Sequence, residues 1–132
     1  MNESRIARFM SDRRLWEGRY VDLWSIPHVI SGALIAFALM RLGFGFWSGL
    51  ALSAALASGW ELFEQFTALS STEYASNSLM DIVFGVLGYL LFRWFAVLNT
   101  HAVRAEVSYV LLGAFVVLVL FGWASYVRYR KL

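Results

Sequence analysis

A few ionisable side chains interrupt the apolar stretches of this sequence. His28 lies inside the first stretch, and Asp81 lies just inside the third. Glu61 and Glu64 lie toward the end of the second, in the segment GWELFEQ. One charge deep in a bilayer costs roughly 2.5–3.5 kcal/mol on insertion scales, so such residues tend to face one another or a wet cavity. In one small, dry volume these groups cannot all stay ionised unless bound protons or a cation compensate them.

One divalent cation would neutralise two carboxylates of such a group at once. Carboxylate oxygens and one imidazole suit Zn, Mn, Fe or Mg, and a Glu-x-x-Glu spacing on a helix can present two carboxylates to one centre. Water activated by the cation would hydrolyse a lipid-linked phosphate or ester, with the second carboxylate as general base, so Glu61 and Glu64 are the candidate catalytic residues. The candidate metal ligands are His28, Glu61, Glu64 and Asp81.

The polar residues share helix faces with small residues, at spacings of three or four positions. Because neighbouring helices alternate in direction, these faces bring their polar residues near the same membrane face. Asp22, just before the first stretch, and Asn77 are the candidate binding residues beside the metal ligands. The rows are His28, Gly32 and Ala36; Gly49, Ser53, Ala57, Glu61 and Glu64; and Asn77, Asp81, Gly85 and Gly88. Rows of small residues are typical of close helix packing.

The composition is that of an integral membrane protein. The 132 residues are 60% hydrophobic and only 15% charged, whereas a soluble domain is about 45–50% apolar and about 25% charged. A soluble globule of this size would have too little polar surface to cover itself. This excludes a soluble enzyme, a disordered chain and a free nucleic-acid-binding domain, and no nucleic-acid partner is expected. The lack of cysteine excludes disulfides and Cys-ligated zinc.

Four apolar stretches of about 20 residues each predict four membrane-spanning helices. They run from about 24 to 44, 46 to 69, 79 to 98 and 107 to 127. Their short connections force neighbouring helices to be antiparallel. The expected fold is therefore all-α, a transmembrane four-helix bundle of up-down-up-down topology that forms a single domain over 21–132. The basic segment 1–20 is either an amphipathic helix in the membrane interface or a solvated tail.

The basic residues indicate how the bundle is oriented. Eight of the 11 Lys and Arg residues lie in the first 20 or the last five positions, which four spans place on one side. The opposite side holds only Arg41, Arg93 and Arg104. The positive-inside rule then places both termini in the cytoplasm, on the same side as the polar residues.

The order of these motifs resembles the VanZ-like superfamily of small bacterial membrane proteins, including its YjdF-like branch. The matching residues are Asp22 and His28, then WELFEQ from Trp60 to Gln65, then Asn77, Asp81 and Gly85. The resemblance covers about residues 20–92. It implies a compact domain in the bacterial inner membrane, with a cell-envelope role and a polar site formed by Asp22, His28, Glu61, Glu64 and Asp81. Many relatives have a further helix before the Asp–His pair, and that arrangement would place the site on the outer face.

Three functions fit these features. The first is a small membrane protein whose buried His/carboxylate site binds a divalent metal or a polar lipid headgroup and acts on cell-envelope lipids. The second is a proton- or cation-coupled transporter or channel that works as an oligomer, because intramembrane carboxylates serve proton relays. The third is a non-catalytic accessory subunit whose cluster only holds helices together. The expected partners are membrane lipids and either a second copy of the chain or a larger membrane complex.

Overall fold

The computed structural model describes residues 18–67, 74–99, 101 and 104–130, and in this part of the chain it contains four α-helices and no strand. The expectation of an all-α chain with four helices is confirmed. Most of the basic segment, residues 1–17, lies outside the described residues. The two predictions for it, an amphipathic helix in the interface or a solvated tail, both fall on those residues. The helices are α1 (Ser25–Arg41), α2 (Phe46–Phe66), α3 (Ala75–Leu98) and α4 (Ala105–Arg130).

The end of α1 corrects the expected boundary near residue 44. The helix ends at Arg41, because Gly43 adopts a positive φ of 82° that a glycine tolerates and that a helix cannot continue through. The Gly43 N–H donates to the Met40 carbonyl at 3.1 Å, and the Phe44 N–H donates to the Leu39 carbonyl at 2.9 Å. This is the hydrogen-bond pattern of a Schellman cap. The cap turns the chain into α2 within four residues.

The second connection also differs from the expected bounds. α2 ends at Phe66 rather than near 69, and α3 begins at Ala75 rather than near 79. The first turn of α3, residues 75–78, has the sequence ASNS, which is helical but too polar to be recognised as part of an apolar stretch. The extra turn places Asn77 inside the helix, one turn before Asp81.

The four helices alternate in direction. His28 near the start of α1 lies beside Glu61 near the end of α2, and at the opposite end the Tyr89 hydroxyl of α3 donates to the Phe46 carbonyl at the start of α2. α4 begins beside the α1 and α3 residues of that opposite end, and its Gly122, about two turns before its end, lies against the Trp24 ring. This is the up-down-up-down order that the short connections predict.

The closest approach in the bundle is between α1 and α3. A Cβ atom added to Gly32 would overlap the Gly85 carbonyl oxygen, and one added to Gly88 would overlap the Val29 carbonyl oxygen. α2 packs against the same part of α3, where the Ala57 Cβ lies 3.3 Å from the position that a Gly85 Cβ would occupy. The small-residue rows therefore mark real helix contacts, as their sequence pattern predicts.

The buried apolar core is small and lies at the end of the bundle away from the polar residues. Its members are Ala36 and Leu39 of α1 and Tyr89 and Phe92 of α3. The large apolar side chains are mostly on the outside instead, along α2, α3 and α4. Among the described residues, two helices are long and apolar enough to cross a membrane: Ala75–Leu98 and the Ala105–Ala124 part of α4.

Candidate metal centre

Three helices bring His28, Glu61 and Asp81 together at one end of the bundle. One ligand atom from each side chain lies within 4.8 Å of the other two. His28 Nε2 is 3.7 Å from Glu61 Oε1 and 3.8 Å from Asp81 Oδ2. The residues come from the first turn of α1, the next-to-last turn of α2 and the second turn of α3, which meet because the helices alternate in direction.

The three side chains are shielded to different extents. The Glu61 and Asp81 side chains are only 4% and 2% exposed, whereas the His28 side chain is 16% exposed. Two carboxylates in such surroundings carry a large desolvation cost if they stay charged without a compensating cation. The His28 imidazole, which lies between them, is also the part of the group that reaches the surface.

Hydrogen bonds fix the Asp81 carboxylate through both of its oxygens. The Ser25 hydroxyl donates to Asp81 Oδ1 at 3.1 Å, and the Asn77 Nδ2 donates to Asp81 Oδ2 at 3.3 Å. Ser25 and Asn77 are themselves buried. Outer hydrogen bonds of this kind orient metal-ligating carboxylates in known metal sites.

Asp22 belongs to the same network without being one of the three grouped residues. Its Oδ2 accepts a hydrogen bond from Asn77 Nδ2 at 3.0 Å, so one amide bridges Asp22 and Asp81. Its Oδ1 accepts from the Trp24 N–H at 2.8 Å, and its own N–H donates to the Ser25 hydroxyl at 3.3 Å. Asp22 thus holds the turn that leads into α1 and, through Asn77, ties that turn to α3.

Most of the residues singled out in the sequence meet in the structure. His28, Glu61 and Asp81 form the group, and Asp22 and Asn77 surround it. Glu64 is half-buried one turn further along α2 and is not part of the group of three.

Ser25 is the member of the network that the sequence pattern missed. The sequence feature that indicates its role is its spacing: it lies three residues before His28, on the same helix face. A serine at a helix start is usually assigned to capping the helix, which hides any other role. Here its hydroxyl accepts from Asp22 and donates to Asp81.

The donor set fits a divalent cation. In a tetrahedral site with ligand distances near 2.1 Å, neighbouring ligand atoms are about 3.4 Å apart. The two separations from His28 Nε2 are 3.7 and 3.8 Å, and all three ligand atoms lie within 4.8 Å of one another, so the spacing is near that of ligands around one ion. One dication would balance the two carboxylates, and one imidazole with two carboxylates is a donor set that Zn, Mn, Fe and Mg accept.

Comparison with known proteins gives no match: no protein-family model, no curated protein and no solved structure is significantly similar to this chain. The resemblance to the VanZ-like superfamily therefore stays a prediction from the motif residues.

Proposed function

We propose that this chain is a small integral membrane protein that binds one divalent cation through His28, Glu61 and Asp81. The observation that carries the proposal is the convergence of three ligand atoms, from three different helices, within 4.8 Å of one another. The imidazole lies between two almost fully buried carboxylates, which gives an ion one neutral nitrogen and two negative oxygen ligands. The fixed orientation of Asp81 by two donors supports the same function.

The surfaces of the helices support insertion of all four into the bilayer. α1 has 17 residues and α2 has 21, which correspond to lengths of about 26 and 32 Å, close to the ~30 Å hydrocarbon thickness. α2 is less apolar than α3 and α4 because it contains two glutamates and several small residues. Its outer side chains, such as Trp47 and Phe66, are nevertheless large, apolar and exposed.

We place the protein in the VanZ-like superfamily and in the bacterial inner membrane, with both termini in the cytoplasm. The motif residues support the first assignment, since Asp22, His28, Glu61 and Asp81 come together in one network. The distribution of Lys and Arg supports the orientation. Reporter fusions at Met1 and at Ser71 test it, because both positions are expected on the cytoplasmic side.

Elemental analysis of the detergent-purified protein tests the metal site. Inductively coupled plasma mass spectrometry of the wild type is expected to find close to one divalent ion per chain. His28→Ala, Glu61→Gln and Asp81→Asn should each lose it, because each removes one of three ligands. His101→Ala and Glu106→Gln are the matched controls, since both residues are exposed and lie at the opposite end of the bundle.

A chelation experiment on the wild type covers the case in which ligand variants fail to fold. Removing the ion should lower the melting temperature, and adding it back should restore the original value, because an ion that binds only the folded state stabilises it. A wild type without bound metal, whose stability does not respond to chelation, would contradict the proposal. The accessory-subunit alternative would then be favoured if Glu61→Gln merely lowered the melting temperature.

A further inference from the structure

Ser25 meets the metal centre from the same face of α1 as His28. The two residues are three positions apart, so their side chains lie about one turn apart along the helix. Ser25 is 4% exposed, and its hydroxyl donates to Asp81 Oδ1 at 3.1 Å. His28 Nε2 lies instead 3.8 Å from Asp81 Oδ2. One face of α1 therefore meets the two oxygens of Asp81 with two different side chains.

The direction of the Ser25 hydroxyl is fixed from its other side. The Asp22 N–H donates to the Ser25 oxygen at 3.3 Å. A serine hydroxyl has one proton, and its oxygen can accept while that proton is donated elsewhere. Because the oxygen accepts from a backbone amide, the proton is left to point at Asp81 Oδ1. The turn before α1 thus holds the hydroxyl as a donor to the Asp81 carboxylate.

These contacts fix how Asp81 is presented to an ion. Ser25 holds Oδ1, and the Asn77 amide donates to Oδ2 at 3.3 Å, so a rotation of the carboxylate would weaken both hydrogen bonds. An ion bound through both oxygens would require Oδ1 to turn away from Ser25 and toward the imidazole of His28. Asp81 is therefore held in the orientation that offers one oxygen, Oδ2, to an ion at His28.

The number of oxygens that a carboxylate offers separates classes of cation. Ca²⁺ takes about six to eight oxygen ligands and often binds carboxylates through both oxygens, and Mg²⁺ prefers an octahedron of oxygens that includes several waters. Zn²⁺ and related transition-metal ions accept imidazole nitrogen together with a few carboxylate oxygens. An imidazole beside an aspartate that is held to one oxygen matches the second class.

We propose, resting on the metal-binding function above, that Ser25 is a positioning residue that makes the centre selective for transition-metal cations such as Zn²⁺ over Ca²⁺ and Mg²⁺. Its hydroxyl acts on the ion through Asp81. Without the hydroxyl, the Asp81 carboxylate can turn and offer both oxygens. The affinity for Zn²⁺ then falls, because its ligand is no longer oriented. The affinity for Ca²⁺ is kept or rises, because a bidentate carboxylate suits that ion.

Metal affinities of the detergent-purified wild type and Ser25→Ala test the proposal. Binding of Zn²⁺ is measured by competition with a chromophoric chelator, and binding of Ca²⁺ and Mg²⁺ by equilibrium dialysis. Ser25→Ala should weaken Zn²⁺ binding about 10- to 100-fold, which is the usual effect of losing an orienting partner of a metal ligand. The ratio of Zn²⁺ affinity to Ca²⁺ affinity should fall by at least the same factor. This change in the ratio is decisive, because imidazole by itself already favours Zn²⁺.

Two further serine variants serve as controls. Ser25→Thr keeps the hydroxyl and should retain the wild-type ratio. Ser48→Ala makes the same chemical change as Ser25→Ala in the first turn of α2, where the exposed hydroxyl donates to the Gly45 carbonyl at 3.2 Å. It should change none of the affinities. If Ser25→Ala does not fold, Ser25→Cys replaces it, because a thiol of similar size is a weak donor. The same fall in the ratio is expected.

The possible outcomes separate this inference from the metal-binding function. A purely structural role of Ser25 would lower the affinities for all three cations by the same factor, so an unchanged ratio in Ser25→Ala would overturn the inference. Wild-type protein that binds Ca²⁺ or Mg²⁺ as tightly as Zn²⁺ would also overturn it and leave the metal site standing. Wild-type protein that binds none of the three cations would overturn both.

Discussion

The contact between α1 and α3 and the outer helix α4 are built from opposite kinds of residue. The contact is lined by glycines such as Gly32 and Gly88 and ends in a buried polar network around Asp81. α4 has no Asp, Glu, Lys, Arg or His between Glu106 and Arg128. Of its side chains that the structure describes, only Gly122 is buried, and large apolar groups such as Val110 and Leu120 are exposed.

This difference shows which residue types mark the helix contacts in such a chain. In lipid, apolar side chains gain little by leaving the solvent, so helix association depends on close van der Waals packing and interhelical hydrogen bonds. Small and polar residues therefore mark the inside, and the most apolar helix is the one with the fewest contacts. Substitutions should consequently be costly at the α1–α3 contact and tolerated on α4, even where the chemical change is the same.

The largest expected difference comes from adding one methyl group to a glycine. Gly32→Ala places a Cβ where the Gly85 carbonyl oxygen already lies, so two backbones must separate. We expect a loss of about 3 kcal/mol in the free energy of unfolding, at the upper end of overpacking costs. Thermal unfolding in detergent measures it.

Gly113→Ala is the matched change on α4, where nothing lies within 4 Å of the added Cβ. It should leave stability unchanged or raise it by up to about 1 kcal/mol, because alanine is the better helix former. Equal melting temperatures for the Gly32 and Gly113 variants would show that α1 and α3 do not approach as closely as described.

The second difference concerns asparagines. Asn77→Ala removes the amide that donates to both Asp22 and Asp81, which leaves buried carboxylate oxygens without that donor. We expect a loss of about 2 kcal/mol, in the range for an unsatisfied buried group. Asn99→Ala removes only an exposed acceptor for the His101 N–H, and it should cost less than about 0.5 kcal/mol. The two melting curves are compared directly, and similar losses would contradict the buried network.

Much of the fold and part of the site could be predicted from the sequence. Apolar stretches of membrane length indicate four helices, and short connections fix their alternating directions. Spacings of three and four then place His28, Glu61 and Asp81 on inward faces at one end. These predictions succeed because they depend only on helix geometry and on the cost of burying charge.

The remaining features depend on contacts that no spacing shows. Glu64 shares a face with Glu61, but only the packing of α2 decides which of the two carboxylates points to His28. In the sequence, Ser25 has only the position of a helix-start residue, and its role follows from the contact with Asp81 of α3. The first turn of α3 is polar, so hydropathy cannot detect that it is helical and carries Asn77 into the network.

The smallest expected difference removes a single hydroxyl. Tyr89 is fully buried on α3, and its hydroxyl donates to the Phe46 carbonyl at 3.0 Å, which ties α3 to the start of α2. Tyr89→Phe should therefore cost about 1 kcal/mol, the usual net worth of one such hydrogen bond. Tyr109→Phe on the exposed surface of α4 should change stability by less than about 0.5 kcal/mol. If Tyr109→Phe proved the more damaging of the two in thermal unfolding, α4 would have to be packed against a partner, and its contrast with the α1–α3 contact would fail.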